Sequence, residues 1–216
     1  MKRSKKNLFA AGIGFLAAFV VWTVLVLCVD VEAIGPQGTN VGFATLNGFV
    51  HRLTGANMLL YEITDWLGIV PISVCLGFAV IGAVQWIKRK SLLMVDRSIL
   101  LLGIFYVAVM AAYILFEFVV INYRPVLIEG RLESSYPSST TMLVSCIMPT
   151  AIMQLEKYIK GKVLKRTVAL ITVTFVILMI VARLLSGVHW VSDIIGGILI
   201  SAGLVLIYYA FLIKPN

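Results

Sequence analysis

Residues 167–213 read TVALITVTFVILMIVARLLSGVHWVSDIIGGILISAGLVLIYYAFLI, which is two long apolar runs joined by a short turn. Each run, 167–185 and 191–213, is close to the roughly 20 apolar residues that a helix needs to cross the hydrocarbon core of a bilayer. We therefore predict an antiparallel pair of transmembrane helices. The Arg, His and Asp side chains of this stretch all lie near the turn: Arg183, His189 and Asp193.

Four further spans are predicted before this pair, at 8–29, 67–87, 98–121 and, once a shorter run around Pro149 is extended, 138–158. The 216 residues are 61% apolar and 13% charged, whereas soluble domains have about 45–50% apolar and about 25% charged residues. This composition excludes a soluble globule. The first run is longer than the apolar core of a signal peptide, so we expect it to be retained. The sequence predicts a single all-α domain, 1–216, with six transmembrane helices.

The net charge of +8 is unevenly distributed along the chain. With six spans, 14 of the 18 basic residues fall in the two terminal segments and in the loops on their side of the membrane. The positive-inside rule then predicts a multi-pass cell-membrane protein with both termini in the cytoplasm. It also assigns the basic residues to anionic membrane lipids rather than to nucleic acid. The outer loop 30–66 contains two short apolar stretches, 41–53 and 57–67, that could form interfacial helices.

Cysteine and histidine offer no metal or disulfide pattern. The three cysteines, Cys28, Cys75 and Cys146, all lie in apolar runs and are expected to be packing residues. One histidine near scattered carboxylates has no recognisable metal-ligand spacing. We therefore expect no metal and no cofactor.

The polar groups at the predicted outer boundary are the candidates for chemistry, because ionisable side chains at that depth are costly unless paired. His189 and Asp193 are four residues apart, so on a helix the carboxylate could hold one imidazole N–H. An oriented imidazole flanked by arginines suits attack on phosphorus, since guanidinium groups bind phosphate oxygens and histidine can carry a phosphoryl group. Residues Ser138, Ser139 and Thr140 begin the fourth predicted span and could either cradle a phosphate at a helix N-terminus or only cap the helix.

These residues resemble the type 2 phosphatidic acid phosphatase (PAP2) superfamily of membrane lipid phosphatases, whose signature is KxxxxxxRP, PSGH and SRxxxxxHxxxD. The third motif matches at Arg183, His189 and Asp193, with Ala182 in place of Ser. The first is represented by Arg124-Pro125 and the second by 137–140. The resemblance implies a helical bundle in which His189 is the nucleophile and Asp193 orients it. It also implies that Arg124, Arg183, Ser138 and the N–H of Ser139 bind the phosphate.

Two departures from the family pattern matter for the chemistry. Glu117 stands where the family has Lys, and Thr140 stands where it has the second His, the usual general acid. A threonine does not protonate an alkoxide near neutral pH, whereas a phosphate monoester leaves without protonation. The sequence therefore favours a lipid diphosphate, such as undecaprenyl diphosphate, over a monophosphate such as phosphatidic acid. The auxiliary candidates are Glu117, His51 and Tyr123. Glu117 could form an ion pair with either arginine or act as a protonated acid.

The resulting prediction is a metal-free membrane hydrolase that removes phosphate from a lipid phosphate or diphosphate through a phosphohistidine on the extracytoplasmic face. An alternative is a catalytically weak PAP2-like protein that binds or moves lipid phosphates. A small-solute transporter is disfavoured because the sequence shows no internal repeat. The small size and short loops are typical of bacterial proteins.

Overall fold

A computed structural model describes residues 2–213, with side chains from residue 5 onward. Within that range the chain is all-α, as the apolar runs predict, and its hydrogen-bonded β pairs are isolated bridges. The helices are α1 (Lys2–Cys28), α2 (Ala44–Thr54), α3 (Met58–Leu67), α4 (Ile69–Arg89), α5 (Arg97–Phe118), α6 (Ser139–Leu155), α7 (Lys162–Leu185) and α8 (Val191–Leu212). Short 3-10 turns lie at Pro36–Gly38 and Leu92–Met94.

Five helical segments between residues 2 and 213 are long and apolar enough to cross a membrane: Lys5–Cys28, Met58–Arg89, Arg97–Phe118, Lys162–Leu185 and Val191–Leu212. The second joins α3 and α4, which meet at Gly68. Helix α6 has 17 residues, or about 26 Å, and is shorter than a bilayer core of about 30 Å. The six-span topology and the cytoplasmic termini therefore stay predictions.

Helix α8 lies at the centre of the bundle, between α1, α5 and α6. Its small residues allow close approach, because a Cβ atom at Gly203 would lie 2.7 Å from the side chain of Leu16 and one at Gly196 would lie 2.6 Å from the ring of Tyr136. The first and last helices pack against each other along their length. Their far ends also touch, with the rings of Phe9 and Phe211 edge to face at 5.9 Å.

One end of the bundle collects the polar residues. We call it the His189 end; it comprises segment 119–138, the turn 186–190 and the first turns of α6 and α8. Segment 119–138 folds back on itself, with a bridge between Tyr123 and Ser134 and a hydrogen bond from the amide of Arg124 to the carbonyl of Glu133. This pairing places the first and last parts of the segment next to each other at the His189 end.

Segment 30–66 covers the His189 end. The amide of Asn57 donates to the carbonyl of Ser186 at 2.9 Å. Gly187 has a φ of +64°, and a Cβ atom there would collide with the carbonyl of Gly55, so this contact requires glycine. The side-chain amide of buried Asn47 donates to the hydroxyl of Ser192 in α8 and accepts from the backbone N–H of the same residue. The short turn carrying His189 is thereby fixed from outside the bundle.

Candidate active site

His189 lies just before α8, with its side chain 1% exposed. Its Nδ1 is 3.1 Å from the carbonyl oxygen of Ser135 and 3.0 Å from the hydroxyl of the same residue. A carbonyl oxygen only accepts hydrogen bonds, so Nδ1 carries the proton and Nε2 keeps its lone pair. Nε2 is buried and has no hydrogen-bond partner among residues 5–213. The neutral ring therefore presents a nucleophilic nitrogen.

Burial and the positive charges of Arg124 and Arg183 lower the pKa of His189 well below its ordinary value of 6.5. The imidazole is consequently unprotonated at neutral pH. The cavity lined by Arg124 and Arg183 and the small cavity that contains His189 share Glu117 and Ser139 in their walls, so the two arginines and His189 belong to one site.

Asp193 is fully buried and occupies the first turn of α8, as the sequence predicts. Its carboxylate accepts hydrogen bonds from the amide of Trp190 at 3.0 Å and from the side chain of Asn122 at 3.2 Å. The predicted direct hydrogen bond to His189 is wrong in detail, because Nδ1 and the nearest carboxylate oxygen are 3.9 Å apart. His189 precedes the helix, so the spacing of four residues does not give helical geometry.

Ser135 fills the space between the two residues. Its hydroxyl donates a short hydrogen bond to the Asp193 carboxylate and lies next to Nδ1 of His189. The sequence does not predict Ser135 and Asn122 as site residues. A backbone hydrogen bond from the amide of Ser135 to the carbonyl of Asn122 holds the two residues together. Both are buried polar residues of the non-helical segment 119–138, but only the fold shows this.

Arg183 lies in the last turn of α7, and its side chain is 1% exposed. Its Nη1 donates to the hydroxyl of Thr64 at 3.0 Å, and its guanidinium lies 4.8 Å from the ring centre of Tyr61. Asp65 supplies a carboxylate at 3.8 Å. All three partners belong to α3, so segment 30–66 positions this arginine. Its Nε is buried and makes no hydrogen bond to residues 5–213.

Arg124 approaches from segment 119–138. Its guanidinium lies 5.6 Å from the same Tyr61 ring, and its Nε is 3.1 Å from a carboxylate oxygen of Glu133. The angle of that contact does not satisfy a hydrogen bond, since Nε and Nη1 are both buried without a partner in the described part of the chain. These N–H groups are therefore available to another acceptor.

The first turn of α6 faces the same site. Ser138 occupies the N-cap position, but its hydroxyl makes no capping hydrogen bond and is buried without a partner within residues 5–213. Hydroxyl capping, the simpler interpretation of the sequence, is therefore wrong for Ser138. Ser139 and Thr140 line a cavity of about 630 Å³ together with Arg124 and Arg183. A helix N-terminus with free N–H groups favours an anion there.

This arrangement agrees with what sequence comparison shows. The family model of the PAP2 superfamily matches residues 104–215, about half of the chain. The chain belongs to the PAP2 superfamily. The resemblance of its motifs to that family is thereby confirmed.

A solved structure supports the same fold. The crystal structure of a transmembrane PAP2 type phosphatidylglycerolphosphate phosphatase from Bacillus subtilis aligns with a TM-score of 0.60 and 20% sequence identity. The alignment covers 93% of this chain and 94% of that one. No curated protein matches the sequence. At that identity the likeness shows that this PAP2 protein shares the fold.

Glu117 corrects another expectation. It lies near the end of α5, is exposed, and accepts a hydrogen bond from Ser134 at 3.3 Å. The predicted buried ion pair with an arginine is wrong, because Arg124 and Arg183 have Glu133 and Asp65 as their carboxylate neighbours. Helical spacing did not apply beyond Phe118, where α5 ends. Glu117 nevertheless lines both the larger cavity and a small adjoining one that contains His189.

The remaining auxiliary candidates lie in different places. Tyr123 lines the larger cavity beside Arg124. His51, in α2, packs its ring 5.5 Å from that of Trp190, and burial lowers its pKa. His51 lines neither cavity, although it lies close to the turn that carries His189. Among the described residues no group of three or more His, Cys, Asp or Glu side chains could hold a metal ion.

Proposed function

We propose that this PAP2 protein is a membrane lipid phosphatase that hydrolyses a lipid phosphate or diphosphate through a phosphohistidine at His189. Family membership and fold support a membrane lipid phosphatase in general. The observation that carries the proposal is the buried imidazole whose Nε2 lone pair is unpartnered within residues 5–213, in the same site as two arginines. The unequal distribution of basic residues supports a site on the extracytoplasmic face.

In the proposed reaction the guanidinium groups of Arg124 and Arg183 and the first N–H groups of α6 bind the non-bridging phosphate oxygens. Nε2 of His189 then attacks phosphorus, the Nε2–P bond forms, and the bond from phosphorus to the leaving oxygen breaks. The Nδ1 proton stays on the ring, facing Ser135. Water next attacks phosphorus, the Nε2–P bond breaks with its electron pair returning to Nε2, and the protons of the water leave with the inorganic phosphate, so that neutral His189 is regenerated. The arginines stabilise the charge on the transferring group in both steps.

The leaving group decides the preferred substrate. Thr140 lines the cavity where the family pattern has a histidine acid, and a missing acid costs about 10²–10⁴-fold when the leaving group is an alkoxide. A phosphate monoester, with a pKa near 6, leaves without protonation. This reasoning favours a polyprenyl diphosphate over phosphatidic acid or another lipid monophosphate. Glu117 and Tyr123 line the cavity and are the candidates for any residual acid function.

The alternative proposal is a protein that binds or moves lipid phosphates with little turnover. Its specific support is the pair of carboxylates near the arginines, Glu133 at 3.1 Å and Asp65 at 3.8 Å, which compete with a bound phosphate. A binding protein, however, has no need for a buried imidazole with a fixed tautomer. The phosphatase is therefore the favoured proposal.

The test is a phosphate-release panel on purified protein with phosphatidic acid, phosphatidylglycerol phosphate and undecaprenyl diphosphate. We expect the diphosphate to be the fastest substrate. Brief incubation with 32P-labelled substrate should label the protein, and His189→Ala should abolish both labelling and turnover. His51→Gln, which changes the only other histidine, is the matched control. Lipid binding without labelling or turnover would establish the alternative.

A further inference from the structure

We infer that Ser135 is a positioning residue through which Asp193 acts on His189, so that the site works as a chain of three groups rather than a histidine–aspartate pair. This inference rests on the proposed phosphohistidine mechanism and adds a residue that the family motifs do not include. Ser135 lies three positions before Ser138, on the non-helical segment that leads into α6.

The donor and acceptor groups of the three residues determine the direction of each hydrogen bond. The Ser135 hydroxyl donates to one oxygen of the Asp193 carboxylate, because an ionised carboxylate only accepts. The serine oxygen, 3.0 Å from Nδ1, is then free to accept the ring proton of His189 together with the Ser135 carbonyl at 3.1 Å. Both oxygens of one residue thus hold the imidazole, and they select the tautomer that leaves Nε2 unprotonated.

Asp193 is not free to replace the serine. The oxygen that Ser135 contacts also accepts from the amide of Trp190 at 3.0 Å, and the other oxygen accepts from Asn122 at 3.2 Å. These bonds hold the carboxylate 3.9 Å from Nδ1, beyond hydrogen-bond distance. A direct contact would require the first turn of α8 to release its backbone bond.

The arrangement has a chemical consequence when Nε2 binds phosphorus. The imidazole then becomes positively charged, and the Nδ1 proton is held by the Ser135 hydroxyl, which is itself polarised by the Asp193 carboxylate. Hydrogen bonds in such a chain strengthen one another. Ser135 therefore passes the stabilising effect of the buried carboxylate to the ring, without transferring its own proton.

A double-mutant cycle on the full-length protein tests the inference. The rate of phosphoenzyme formation is measured in a single turnover for the wild type, Ser135→Ala, Asp193→Asn and the double variant. We expect each single variant to be about 10- to 100-fold slower, and the double variant to be no slower than the slower single one. Multiplicative effects would mean that Asp193 acts independently of Ser135 and would overturn the inference.

Two further measurements separate this result from simple damage to the fold. Ser201→Ala removes a buried serine on α8 whose hydroxyl donates to the backbone carbonyls of Met142 and Gly197 and which lines neither cavity of the site, and it should leave phosphoenzyme formation within about 2-fold of wild type. The 15N chemical shifts of His189 should report the Nδ1–H tautomer in both proteins, because the Ser135 carbonyl at 3.1 Å remains in Ser135→Ala, but the Nδ1 resonance should move in that variant because the hydroxyl contact is lost. An unchanged Nδ1 resonance in Ser135→Ala would overturn the inference.

The spectroscopic arm needs no substrate. If the wild type forms no phosphoenzyme, the proposed function fails, and the Nδ1 resonance of His189 still decides whether the Ser135 hydroxyl contacts the ring. If the phosphoenzyme forms but the cycle is multiplicative, the function stands and the inference about Ser135 fails.

Discussion

Replacing Glu133 by glutamine should improve substrate binding, which is an unusual expectation for a residue next to an active-site arginine. The Glu133 carboxylate is 3.1 Å from Nε of Arg124 but does not hydrogen-bond to it. It therefore neutralises the guanidinium without using its donors. A phosphate that binds Arg124 must displace or share this counter-charge. Glu133→Gln removes the charge and keeps the size of the side chain.

The size of the effect follows from exposure. The Glu133 side chain is 41% exposed, so the pair belongs among partly solvated ion pairs, which contribute about 0.2–1 kcal/mol. When Glu133 no longer competes with the substrate for Arg124, substrate binding becomes more favourable by that free energy, and KM falls by about 1.4- to 5-fold. The value of kcat should not change, because Glu133 affects ground state and transition state alike. The difference should shrink as ionic strength rises, because salt screens an exposed charge.

The assay is initial-rate phosphate release from a lipid diphosphate in detergent micelles, at two salt concentrations. Glu129→Gln is the matched control, because Glu129 is an exposed glutamate of the same segment that lines neither cavity. A higher KM in Glu133→Gln, or equal changes in both variants, would refute the reasoning. The first outcome would show that Glu133 holds Arg124 in place.

Three other changes probe the rest of the site. Thr64→Val keeps the side-chain shape but removes the 3.0 Å hydrogen bond to Arg183, and it should lower kcat/KM by about 10- to 100-fold, measured with the same substrate. Thr140→His should raise turnover of phosphatidic acid by up to about 10²-fold and leave the diphosphate rate nearly unchanged, as a two-substrate assay will show. In the proposed mechanism neutral His189 is the nucleophile, and its pKa is lowered, so activity should fall only well below pH 6.5. Arg124→Gln removes a positive charge, and its pH–rate profile should fall at higher pH than that of wild type.

The fold could be predicted from the apolar runs, and part of the site from one turn. Arg183, His189 and Asp193 lie within 11 residues, so their proximity is a local property of the chain. Helices α2 and α3 also correspond to the two short apolar stretches of 30–66. Helix α6 gives a weaker apolar signal than the other spans, because it contains small and polar residues and packs against α7 and α8.

The residues that hold the site in position could not be predicted, because their contacts are distant in sequence. Ser135 is 54 residues from His189, and Thr64 is 119 residues from Arg183. The misassigned ion pair has the same origin: a spacing of seven residues implies a shared face only within a helix, and α5 ends between Glu117 and Arg124. A sequence pattern indicates the candidate reacting groups, whereas the loops that orient them appear only in three dimensions.

The packing of α1 against α8 gives the order of chain synthesis a functional meaning. The indole N–H of Trp22 donates to the backbone carbonyl of Ser192, next to Asp193, and the hydroxyls of Thr23 and Tyr136 are 2.7 Å apart. Helix α1 precedes all the other helices in the chain and α8 follows them. The indole N–H of Trp22 therefore finds this partner only after α8 has been synthesised. His189 and Asp193 flank the start of α8, so the candidate site is supported by α1 only once the two helices, which are distant in the sequence, have packed together.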